Sequence, residues 1–170
     1  STRVGKLLMN QSSDTLKKLS LALGGNAPFI VFDDADLDLS VAGAVDSKFK
    51  SSGQTCVCSN RIFVQRGIHD EFVRKLKAVV AGFQVGSGFD KKTTHGPLVI
   101  TSAAERVSSL VEDAVRSGAK IEAGGKRRTD IGKIIFNFSD LSKTSKLIDV
   151  TYTGTNFFEP TIITNVNTNM

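Results

Sequence analysis

Short apolar runs separated by helix-length amphipathic segments constrain this chain more than any other feature. Pro28-Phe29-Ile30-Val31-Phe32 reads as a buried strand and Ile62-Phe63-Val64 as another. Between them Leu37, Val41, Ala44, Val45 and Phe49 recur at helical spacing over 37–49, behind Asp33-Asp34-Ala35-Asp36, which supplies an N-cap. Strands separated by helices of this length predict an α/β fold with a parallel or mostly parallel sheet and flanking helices.

The same reading extends along the chain. Residues 2–11 form a short helix with Val4, Leu7 and Leu8 on one face, and residues 16–23 are expected to form a strand. Phe72, Leu76, Val79 and Val80 place an amphipathic helix at 71–81. A further helix covers 102–117 through Ala103, Val107, Leu110, Val111, Ala114 and Val115, stopped by Gly118 before a strand at 120–123.

Composition narrows the function classes. At 170 residues and 40% hydrophobic content the chain can bury one sizeable core, and a single domain is the default expectation. Its 22 basic and 17 acidic residues leave a net charge of +5, but only Lys126-Arg127-Arg128 cluster. With one Tyr, no Trp and no basic run interleaved with aromatics, a solvated surface explains the charge better than nucleic acid does. No apolar run reaches the roughly 18 residues needed to span a membrane. No leader or compartment address can be read.

The chemistry concentrates at the two cysteines. Cys56 and Cys58 lie in Gly53-Gln54-Thr55-Cys56-Val57-Cys58-Ser59, a small polar turn between a helical and a strand-like segment. A thiol on such a turn is within reach of a substrate. A disulfide between them would close too short a loop to restrict the unfolded chain, so a secreted disulfide framework is not expected.

Taken in order, Ser1-Thr2-Arg3-Val4-Gly5-Lys6, Leu21-Ala22-Leu23-Gly24-Gly25-Asn26-Ala27-Pro28, Gly53-Gln54-Thr55-Cys56, Gly96-Pro97 and Asn156-Phe157-Phe158-Glu159-Pro160-Thr161 resemble successive landmarks of the aldehyde dehydrogenase superfamily. The wording Asn26-Ala27-Pro28-Phe29-Ile30-Val31-Phe32-Asp33, the doubled Cys56-Val57-Cys58, and Val64-Gln65-Arg66-Gly67-Ile68-His69-Asp70 are similar to succinate-semialdehyde dehydrogenases. The resemblance implies an incomplete catalytic domain over 1–170, with 1–25 at the edge of the cofactor site. It further implies a small aldehyde substrate, succinate semialdehyde foremost, with NAD or NADP as cofactor. By the same resemblance, full-length members are expected to be homo-oligomers (tetramers), and the location is expected to be mitochondrial or cytoplasmic. The rest of the dinucleotide-binding domain is expected upstream of residue 1, and the ribose-gripping motif and tetramer strand beyond residue 170.

Roles carry over position by position. Cys56 matches the nucleophile, whose backbone N–H would donate to the oxyanion. Cys58 matches the second cysteine of the succinate-semialdehyde enzymes, a redox partner; read from the residues alone, it is equally a packing residue of the turn. Ser1 matches the serine that meets the pyrophosphate at a helix N-terminus, and Leu23 and Gly24 match positions beside the nicotinamide. Read without the resemblance, Ser1 is an N-cap and Gly24-Gly25 an ordinary turn.

Two matched positions depart from the family pattern. Ala22 stands where the family has a glutamate as general base, and loss of a positioned base commonly costs on the order of 100 to 10,000-fold in rate. Lys50 stands where the succinate-semialdehyde enzymes place an arginine on the distal carboxylate. It keeps the charge and loses the bidentate fork, or else it is a solvent-facing cation at a helix end. The resemblance therefore implies NAD(P)-dependent aldehyde oxidation through a cysteine thioester, impaired in this chain. The alternatives are a non-catalytic fragment or relative, and a thiol redox module using Cys56 and Cys58.

Other candidates take plainer readings. His69 is a capping or surface residue and His95 a loop residue. Asp33, Asp34, Asp36 and Asp38 are helix-start charges without a calcium loop's glycine and distal glutamate, and no metal site is expected. Residues 134–155 form an atypical insertion relative to the family, either a loop elaboration or translated non-coding sequence. A hairpin there would leave Ile135, Phe136 and Ile148 needing cover.

Overall fold

The computed structural model describes residues 1–131 and 155–167, together with the backbone pairing of 134–135 with 151–152. The chain divides into two compact units, Ser1–Phe72 and Val73–Met170.

The first unit opens with α1 (Thr2–Ser13), capped by Ser1, whose Oγ accepts from the Val4 N–H at 3.4 Å. An irregular arm then leads to β1 (Ala27–Val31), α2 (Leu37–Phe49), a 3₁₀ turn (Lys50–Gly53) and β2 (Ser59–Val64). The expected β-helix-β unit is present: β1 and β2 pair in parallel, with Phe29 opposite Ile62 and Val31 opposite Val64. Asp36 caps α2 as its position predicts, its Oδ1 accepting from Leu39 N at 3.0 Å. Val41 and Ala44 of α2 and Val31 of β1 are among the unit's buried apolar residues.

The strand expected over 16–23 does not form. The segment belongs to the irregular arm, Leu16 takes a positive φ of 48°, and Leu16, Leu19 and Leu21 are exposed. A strand exists only with a partner for its backbone ladder. Alternating apolar residues supply no such partner, and this arm has none among the described residues.

α3 (His69–Ala81) buries Phe72, Leu76 and Val80. In the second unit α4 (Thr101–Arg116) buries Ala104 and Val111. Gly118 ends it as its place in the sequence predicts: φ is +100°, the Gly118 N–H donates to the Val115 carbonyl, and the Ala119 N–H donates to the Ala114 carbonyl at 2.9 Å. That pair of bonds is the Schellman ending that favours glycine.

Among the described residues the strands form four short pairs. Besides the parallel β1–β2 pair, β3 (Lys120–Ala123) pairs antiparallel with β8 (Ile162–Thr164), and β4 (Arg127–Arg128) with β7 (Phe157–Phe158). β5 (Ile134–Ile135) pairs antiparallel with β6 (Thr151–Tyr152), which joins the two ends of the expected hairpin. The remainder of that hairpin lies outside the described residues. Phe157, Phe158 and Ile162 are buried. Glu122 sits between Lys120 at 2.6 Å and Lys77 at 3.6 Å. Among the described residues no helix is long and apolar enough to cross a membrane.

Candidate active site

The cysteine turn follows a local backbone reversal. After α2 ends, Ser51, Ser52 and Gly53 adopt φ values of 52°, 55° and 72° in succession, a left-handed run in which only Gly53 lacks a Cβ. The chain then turns tightly through Thr55 to Cys58, closed by the Cys58 N–H donating to the Thr55 carbonyl at 3.1 Å. Cys56 sits inside this turn and is exposed.

The two thiols have opposite environments. Cys58 is 1% exposed, its Sγ 2.6 Å from Thr55 Oγ1 and 4.0 Å from the Lys50 carbonyl oxygen. Both are free thiols. The turn therefore presents one sulfur to solvent and packs the other into the unit, an asymmetry that their near-adjacent places in the sequence do not reveal.

The glycine-rich arm lies against this turn. A Cβ added to Gly25 would lie 3.0 Å from the Cys56 carbonyl oxygen, so the arm's backbone rests directly on the cysteine turn. One residue earlier, Gly24 is exposed with nothing within 4 Å of the same position. Leu23 reaches the other way: a Cβ on Gly5 of α1 would lie 2.7 Å from its Cδ1. Ser1, one turn before Gly5, is bound to it through the Gly5 N–H and the Ser1 carbonyl at 2.9 Å. Arg61 anchors the arm's far end, its Nε donating to the Asn26 carbonyl at 3.0 Å.

The arm thus meets the Cys56 turn at Gly25 and meets α1, which Ser1 caps, at Leu23. Ala22 is exposed on the arm, and its methyl group carries no proton acceptor. Lys50 is the exposed C-cap of α2; its carbonyl approaches Cys58 while its side chain stands in solvent. His69 opens α3 with Nδ1 2.8 Å from the Asp70 carboxylate. His95 is a buried loop residue, stacked on Phe83 with ring centroids 4.3 Å apart and Nδ1 2.9 Å from Thr94 Oγ1. Among the described residues no three His, Cys, Asp or Glu side chains gather so as to hold a metal ion.

Several structurally important groups carried no signal in the sequence. Gly25 is visible there only as half of a Gly-Gly turn. Arg61 and Thr55 act through tertiary and turn contacts. Lys48 reads as an ordinary helix-end cation, yet its Nζ donates to Asn60 Oδ1 at 2.7 Å, and burial pushes its ammonium below the usual lysine range against the opposing pull of Cys58.

An exposed free thiol on a turn, with the backbone of a glycine arm against it, is a chemically accessible group on an α/β scaffold. The sequence profile of the Aldehyde dehydrogenase family matches residues 1–137, and the chain belongs to that family. It is 45% identical over 170 residues to 3-sulfolactaldehyde dehydrogenase of Pseudomonas putida, covering all of this chain and 30% of that protein. It is 46% identical over 171 residues to mitochondrial succinate-semialdehyde dehydrogenase of Mus musculus, covering all of this chain and 28% of that one. The crystal structure of succinate-semialdehyde dehydrogenase from Burkholderia pseudomallei superposes with a TM-score of 0.82 at 46% identity, again over all of this chain and 30% of the other. The chain thus spans about 30% of the length of the proteins it matches.

Proposed function

We propose that this chain carries the thiol half of an NAD(P)-dependent aldehyde-oxidising site, with succinate semialdehyde as the leading substrate, and that Ala22 impairs its turnover. The observation that carries the reading is the exposed Cys56 turn resting against Gly25. Family membership supplies the reaction class, and relatives named for semialdehydes support the substrate.

The chain's own residues divide the work as follows. The Cys56 thiolate attacks the aldehyde carbonyl, forming a C–S bond and leaving an oxyanion beside its own backbone N–H. NAD(P), when bound, would supply the hydride acceptor that the oxidation of this thiohemiacetal to a thioester requires; Leu23 and Gly24 would hold its nicotinamide end and Ser1 its pyrophosphate. The open space about Gly24, together with the helix N-terminus at Ser1, fits a planar ring and a phosphate group respectively. Water then cleaves the thioester to carboxylate and free thiol, a step that needs a proton acceptor. Ala22 offers none, so acyl-enzyme accumulates. Lys50 attracts the distal carboxylate as a point charge.

The test places this sequence in a full-length background with Ala or Glu at position 22 and follows NADH release from succinate semialdehyde. The Ala form is expected to give a burst near one equivalent and then a steady state slower by on the order of 100-fold or more, with acyl adduct on Cys56. Equal steady-state rates for the two forms would overturn the reading of position 22. Absence of any Cys56 adduct would overturn the nucleophile assignment.

A further inference from the structure

The nucleophile reading leaves unused the half-buried cation at the end of α2. Lys48 lies in the last turn of that helix, and its Nζ donates to Oδ1 of Asn60 at 2.7 Å. Asn60 is the second residue of β2. One hydrogen bond therefore joins the two ends of segment 49–59, which contains both cysteines.

Lys48 also meets the middle of the segment it encloses. A Cβ on Gly53 would lie 3.1 Å from the Lys48 carbonyl oxygen and 3.4 Å from its Nζ. Gly53, which lies against the lysine, ends the left-handed run Ser51, Ser52 and Gly53. Side-chain-bearing residues hold that conformation only where their surroundings over-determine it. Removing the clasp frees the run to relax toward ordinary right-handed or extended backbone. The turn that buries Cys58 follows directly after it.

We propose that Lys48 is a positioning residue of the thiol turn: its bond to Asn60 closes the base of segment 49–59 and, with Gly53 folded onto it, keeps Cys56 in solvent and Cys58 in the core. The consequence for catalysis rests on the reading of Cys56 as nucleophile. The clasp itself does not.

The experiment is alkylation of the chain with iodoacetamide, without aldehyde or nucleotide, followed by peptide mapping, with thermal unfolding measured in parallel. In the unaltered chain Cys56 labels and Cys58 is protected. Lys48→Met is expected to raise Cys58 labelling relative to Cys56 by about tenfold or more, since a hydrogen bond to a charged group is lost. Asn60→Leu should do the same, and the double variant should add nothing further because both changes remove one bond. Asn60→Asp keeps an acceptor and should retain protection, an outcome that general loosening at this site would not give. Unchanged protection in Lys48→Met and Asn60→Leu would overturn the proposal, as would fully additive effects or exposure of Cys58 in Asn60→Asp. Where Lys48→Met does not fold, the two Asn60 variants decide. Because no aldehyde is present, failure here leaves the nucleophile assignment standing, and an absent Cys56 adduct in the full-length comparison leaves the clasp standing.

Discussion

The Cα of Gly25 faces the carbonyl oxygen of Cys56 so closely that a methyl group there would sit 3.0 Å from it. The arm that carries Leu23 and Gly24 meets the thiol turn here at a backbone atom, which cannot rotate away as a side chain could. Gly24 next to it faces open space. Of these two neighbouring glycines, Gly25 is therefore the one whose missing side chain the packing requires.

Gly25→Val should push the arm off the turn at a cost of about 1–3 kcal/mol, the range for overpacking. Gly24→Ala should change stability by no more than about 0.5 kcal/mol. Chemical denaturation of both variants checks this, and equal effects would show that the arm does not bear on Cys56.

Lys50→Arg, in a full-length background with Glu at position 22, should lower KM for succinate semialdehyde several-fold and leave kcat nearly unchanged. A guanidinium fork grips a carboxylate in ground state and transition state alike, which is uniform binding. The comparison with a semialdehyde's uncharged analogue is the control. A matching fall in KM for the analogue would remove the carboxylate from the explanation.

Asp130 offers a pH prediction. The Arg128 hydrogen bond, at 2.8 Å to each carboxylate oxygen, lowers its pKa to about 2, with a backbone hydrogen bond within Asp130 adding to the effect. The folded pKa lies below the ordinary aspartate value of 3.8, so the pair's contribution is present above the unfolded pKa and lost as pH falls through the folded one. Carboxyl chemical shifts should titrate near the lower value, and Arg128→Met should return the midpoint toward the ordinary aspartate range. An unmoved midpoint in the variant would exclude Arg128 as the cause.

Gly118→Ala should destabilise the second unit by about 1 kcal/mol. Nothing lies within 4 Å of the added methyl, so the whole effect comes from the φ of +100°. Thermal unfolding reads it directly. Gly88→Ala, also in open space and without that φ, is the matched control.

What the sequence determined by itself was local. Asp36 could cap α2 and Gly118 could end α4 because capping needs only a side-chain oxygen or a missing Cβ at the right step of the chain. Helical spacing placed Val41, Ala44, Leu76 and Val111 on buried faces for the same reason. Quoted motifs sufficed to place the chain in its family, and to mark Cys56 as the residue to examine. The tertiary structure decided everything that required a partner distant in the chain. Leu19, Leu21 and Leu23 alternate like a strand, but residues 16–23 have no neighbouring strand among the described residues, so they run as an arm. Cys56 and Cys58 share one polar turn, yet only packing around Thr55 and Lys50 decides which sulfur is buried. Gly25 bears on Cys56 from 31 positions away, and Lys48 closes on Asn60 across 12. Such contacts follow from where the folded backbone passes, which no periodicity or local propensity encodes.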